Sequence, residues 1–127
     1  MKNRFSVIAA VMCLAMGAFV MAHGQEEHGE EQVTVKGEIV DMACYVSHGA
    51  RGAEHQACAA RCVRGGQPMG LLTADGSLYL LWANHKDGAA FEQAKELAGE
   101  MVALTGKEAA QNGVKGIEVA SVEKSDG

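Results

Sequence analysis

Basic residues, aromatic rings and proline are all scarce in this chain, and each shortage closes off a class of function. Lysine and arginine number 11 against 16 acidic residues, for a formal charge of −5, and they form no stripe. An acidic chain without a basic face excludes nucleic acid and anionic membrane surfaces as partners. One Trp, two Tyr and three Phe leave little for a base-stacking platform, and Tyr45, Trp82 and Phe91 read as core. No nucleophile elbow is present, no carboxylate pair sits in an apolar context, and the scattered glycines lack the lysine of a phosphate loop. No repeat of fixed period is visible. Nothing outside a set of thiols suggests an enzyme.

One long apolar run exists, at the amino terminus. Lys2 and Arg4 precede Phe5 to Val20, and Val20-Met21-Ala22 ends the run with small residues at the right spacing. This predicts a signal peptide over 1–22 and a periplasmic or secreted product, because the run is short for a membrane span. Cys13 lies inside it, in a poor lipobox. Removing the leader takes two basic and no acidic residues, so nine basic face sixteen acidic and the mature charge is −7. No membrane contact is expected after cleavage. Residues 23–31 are polar and acidic and read as a flexible tether. His23 would become the new terminus, where a copper-chelating amine and imidazole compete with a plain disordered remnant.

The remaining residues suffice for one domain with a modest core, expected over 32–124. Val33 to Asp41 alternates as a strand, with Val33, Val35, Gly37, Ile39 and Asp41 on one face and Gly37 marking a bend or bulge. Met69–Thr73 and Leu78–Trp82 flank Ala74-Asp75-Gly76-Ser77, a hairpin signal. Ala89–Ala98 has helical spacing and Gly99 closes it. Met101–Lys107 and Ile117–Val122 are strands, with a turn at Asn112-Gly113. Five strands with a helix between the third and fourth predict a mainly β fold, a five-stranded OB-fold-like barrel. The segment 42–68 is then an insertion between strands 1 and 2, carrying one short cysteine-bearing helix that Gln67-Pro68 ends.

That insertion holds the chemistry. His55, Cys58 and Cys62 stand at i, i+3 and i+7, one face of a helix favoured by Ala57, Ala59, Ala60 and Arg61. Cys44, at the end of strand 1, would complete a Cys3His set for Zn(II), and Cu(I) would accept fewer of the four. Arg51, Arg61 and Arg64 would favour the thiolate forms. Asp41 reads either as an acceptor for a ligand imidazole or as a strand-end cap. His48 and His85 read as surface residues. Three cysteines, an odd number in an oxidising compartment, allow at most one internal disulfide. The competing readings are therefore a Cys44–Cys58 or Cys44–Cys62 staple, which would leave a domain with a protein partner, and a thiol–disulfide oxidoreductase using Cys58 and Cys62.

The run Gly37-Glu38-Ile39-Val40-Asp41-Met42-Ala43-Cys44-Tyr45, then His55-x2-Cys58-Ala59-x2-Cys62, then Gly66-x-Pro68-x-Gly70, resembles a group of small exported bacterial OB-fold-like proteins of largely uncharacterised function. The resemblance covers about a quarter of the mature chain and implies an exported protein with a Cys/His site. The C-x3-C spacing is also similar to that of copper chaperones of cytochrome oxidase assembly, without their thioredoxin-like framework.

Overall fold

The computed structural model describes residues 31–126. The expected signal peptide, and the tether up to residue 30, lie outside the described residues. Among these, no helix is long and apolar enough to cross a membrane. The elements are β1 (Gln32–Asp41), α1 (Met42–His48), α2 (Gln56–Arg64), β2 (Met69–Leu72), β3 (Leu78–Ala83), α3 (Ala89–Glu96), β4 (Met101–Gln111) and β5 (Val114–Lys124). The strands close in the order β1-β2-β3-β5-β4, with every pairing antiparallel except β3 with β5. This is the OB-fold-like barrel expected from the element order.

β1 serves two neighbours. Its first part pairs with β4, from Gln32↔Lys107 to Glu38↔Met101, and its end pairs with β2, from Glu38↔Leu72 to Asp41↔Met69. Gly37 lies near that exchange. It marks a close approach rather than a bulge, since a Cβ there would stand 2.5 Å from the Leu72 carbonyl oxygen. The register shift falls instead at Thr105/Gly106, where β4 bends against β5. Both of these strands run past their apolar stretches into a protruding hairpin, whose Asn112-Gly113 turn has positive φ at both residues (51° and 84°). That pair of left-handed conformations gives a tight hairpin turn.

The core is one cluster, built from Ile39, Met69, Leu71, Leu81, Val102, Leu104, Ile117, Val119 and Val122 of the strands. Ala59 and Val63 of α2 join it, with Ala94 of α3 and Ala98 just beyond. The i, i+4 pair Ala59/Val63 thus anchors α2 to the barrel by one face. Phe91 packs on this core, as expected, whereas Tyr45 and Trp82 remain half-buried outside it. Trp82 instead covers Gly116 on the barrel wall, where a Cβ would strike the indole.

α2 meets α3 at Gly99. Its N–H donates to the Ile39 carbonyl at 2.7 Å, and the Ile39 N–H donates to the Glu100 carbonyl at 3.1 Å. Gly99 has φ +82°, and a Cβ there would lie 2.6 Å from Gln56 Cα, at the start of the cysteine helix. Gly99→Ala is therefore expected to cost at least the roughly 1–2 kcal/mol of a left-handed L-residue, with a further loss from pushing α2 outward. Denaturant unfolding of the variant checks this, and a loss below about 0.5 kcal/mol, typical of a neutral surface change, would contradict it.

Candidate metal centre

The centre is built where β1 runs out. Asp41 ends the strand with its side chain fully buried, and its Oδ1 accepts from the N–H groups of Ala43 and Cys44, both at 3.1 Å. These are orphan donors of a helix start, so one carboxylate oxygen caps α1. Gly49, left-handed at φ 67°, closes the seven-residue helix, and its N–H reaches the Cys44 and Tyr45 carbonyls. A sequence with β-branched and aromatic residues thus forms a helix because both of its ends are fastened. The insertion accordingly holds two helices where one was expected. Cys44 sits on α1; Cys58 and Cys62 sit on α2.

The loop between them is held from the barrel. Glu38 Oε1 accepts the Gly52 N–H at 2.5 Å. His55 then stands at the N-cap of α2 instead of inside the helix, with φ −98° and ψ −8°. Its near-helical backbone leaves the i, i+3, i+7 relation roughly intact, but the imidazole turns to Asp41: Nε2 lies 3.3 Å from Oδ2. The second oxygen of the same carboxylate therefore orients the histidine.

Two overlapping groups result. The Sγ atoms of Cys44, Cys58 and Cys62 lie within 4.8 Å of one another, and so do ligand atoms of Asp41, Cys44 and His55. Cys44 belongs to both. Of the four residues expected as ligands, the three cysteines come together, while His55 joins Cys44 and Asp41 in the second group and not Cys58 and Cys62. Asp41, read from the sequence only as a supporting residue, lies among them. All three thiols are free and half-buried, with Cys58 Sγ and Cys62 Sγ 4.0 Å apart, about twice the length of a disulfide bond. His48 and His85 are exposed.

The electrostatics run against the expectation drawn from the arginines. A hydrogen bond to the Asp41 carboxylate pushes the Cys44 thiol up to about 12, with burial and the charges of Asp41, Cys62 and Cys58 adding to it. Burial first, and then the Cys58 thiol, raise Cys62 as well. Arg64 is drawn away to Glu96 by two hydrogen bonds, of 3.1 and 2.5 Å, and Arg51 and Arg61 are exposed. Burial raises the Asp41 carboxyl, but hydrogen bonds from the Cys44 N–H and thiol, His55 and the Ala43 N–H outweigh it and hold it below its usual value.

A soft ion fits this donor set. Three sulfurs from two helices converge, and an ion bonded to sulfur at about 2.3 Å in a three- or four-coordinate site sets the sulfurs roughly 3.8–4.0 Å apart. The observed 4.0 Å matches this spacing. Loading must displace thiol protons, so affinity rises with pH. Comparison of the chain with protein-family models, with curated proteins and with solved structures finds no match.

Proposed function

We propose that this chain is an exported protein that binds a soft metal ion, Zn(II) or Cu(I), on an OB-fold-like scaffold. The sulfurs of Cys44, Cys58 and Cys62 hold the ion, with His55 and Asp41 beside them. The convergence of three cysteine sulfurs within 4.8 Å carries this reading, because free thiols gathered from two helices match the chemistry of both ions. Half-burial leaves the cluster within reach of a donor or acceptor of the ion.

The closeness of the three sulfurs keeps a domain stapled by a Cys44–Cys58 or Cys44–Cys62 disulfide as the second reading, though an odd count leaves one thiol over from it. The oxidoreductase reading is weaker, since a reactive thiol needs its thiolate favoured and Cys44 and Cys62 are both pushed the other way. Metal analysis and thiol counting on one sample, purified without chelator, separate the readings. The expected result is three thiols per chain under denaturing, metal-free conditions and about one or more equivalents of bound Zn or Cu beforehand. One thiol per chain, with no metal taken up under reducing conditions, would establish the staple instead.

A further inference from the structure

We infer that the cluster takes two cations, the second one seated between Asp41, Cys44 and His55 with the Cys44 thiolate as the bridge. The inference rests on the metal-binding reading above, with which it shares Cys44, and it is carried by geometry and charge.

The geometry is that of donors spaced for an ion. His55 Nε2 and Asp41 Oδ2 stand 3.3 Å apart. That contact is a hydrogen bond in the metal-free fold. Nitrogen and oxygen donors bonded at about 2.0–2.1 Å to a tetrahedral ion lie roughly 3.3–3.4 Å apart. Cys44 Sγ lies within 4.8 Å of a ligand atom of each of these two residues, so the three form one side of a coordination shell. In the metal-free fold they hydrogen-bond one another, Asp41 accepting from His55 and from the Cys44 thiol, and the ion would take the place of those protons. Asp41 caps α1 with Oδ1 alone and turns Oδ2 to the histidine. The His55 side chain is 19% exposed, which leaves the open side of the triad to solvent or an exogenous ligand.

Charge gives the second argument. A divalent ion on three thiolates leaves one net negative charge, and Asp41, with a side chain exposed by 0%, adds another. A buried carboxylate beside an anionic cluster is costly unless a cation answers it. The nearby arginines do not, because Arg64 is paired with Glu96 and Arg51 and Arg61 are exposed, so that, among the described basic side chains, the His55 imidazole alone faces it. Two divalent ions against three thiolates and one carboxylate balance to zero. The two groups also differ in chemistry: an all-sulfur set suits the softer ion, and a nitrogen–oxygen–sulfur set suits a borderline divalent ion such as Zn(II).

Zn(II) titration of the reduced mature chain, beginning at His23, followed by calorimetry and by metal analysis after desalting, decides the matter. The expected result is two equivalents for the parent and one for His55→Ala, with the remaining ion lost on adding Cys62→Ser. One equivalent for the parent overturns the inference while leaving the metal-binding reading in place, whatever His55→Ala does. Two equivalents unaffected by His55→Ala also overturn it, because the second ion is then elsewhere. No binding at all removes both readings. Should His55→Ala fail to fold, as judged by circular dichroism, His55→Gln takes its place and the parent stoichiometry still decides.

Discussion

Cys44→Ser should nearly abolish Zn(II) binding and weaken Cu(I) binding much less, whereas Cys58→Ser should reverse that order. Cys44 is the donor common to both ligand groups, so its loss leaves the helical pair Cys58/Cys62 alone. Two sulfurs already 4.0 Å apart satisfy a low-coordinate Cu(I) but fall short of the four ligands that Zn(II) takes. Losing Cys58 breaks that pair, while the Asp41/Cys44/His55 side stays intact for a borderline ion. The scale is on the order of 100-fold in affinity per donor, since roughly 10–16 kcal/mol of structural Zn(II) binding is shared among four ligands. Competition titrations of both variants with both ions, under reducing conditions, measure it. Affinities equal to the parent in all four cases would show that the sulfurs serve another purpose.

Asp41→Ala should markedly destabilise the metal-free fold. It removes an N-cap, leaving the part-buried Ala43 and Cys44 N–H groups unanswered at about 0.5–2 kcal/mol, and it takes the partner from the His55 imidazole, at roughly 1–3 kcal/mol. With water and local relaxation answering part of this, a net loss of about 2–4 kcal/mol is expected, or a melting temperature lower by roughly 10–25 °C for a domain of this size. Asp41→Asn keeps the capping oxygen and should recover part of the loss. The acid limb should change too. The Asp41 carboxyl is held below its ordinary value in the fold, so its stabilisation is fully present above the unfolded carboxylate pKa of about 4 and is lost as pH falls through the lower folded value. Thermal melts from pH 7 down to pH 2 should therefore show a shallower acid decline in the alanine variant. A slope equal to the parent's would mean that Asp41 does not carry this contribution.

The barrel was legible because its strands alternate and its turns carry their own signals. Asp75-Gly76 and Asn112-Gly113 sit where the hairpins reverse, and Val35 and Ile39 of β1 and Ile117, Val119 and Val122 of β5 face the core as their alternation implies. The ends of β4 and β5 were not, since Glu108 to Gln111 are exposed on a protruding hairpin and bury nothing that could leave a pattern. That the cysteines come together was legible from the sequence, but that His55 sides with Asp41 and Cys44 was not. What spacing could not give was α1. Seven residues with no fully buried side chain have no periodicity to read, and only the bracketing pair Asp41 and Gly49, a cap and a left-handed stop, signalled it. The same omission hid the second task of Asp41, which looks like a strand end until a helix begins immediately after it. The arginines misled for a related reason: proximity in sequence said nothing of Glu96, which draws Arg64 aside from another helix.

Each half of the sulfur cluster is tied to the barrel by a different strength of bond. α2 is rooted in the core through Ala59 and Val63, and it leaves only when the barrel opens. α1 buries no residue fully and is held by the Asp41 cap, by Met42 N–H on the Pro68 carbonyl at 2.9 Å, and by the Gly49 closure. Segments so weakly anchored lift away in local excursions far more often than the whole domain unfolds. On the metal-binding reading, the residence time of an ion would be governed by the lifting of α1 and the lifetime of the fold by the barrel, so release would not require the fold to open.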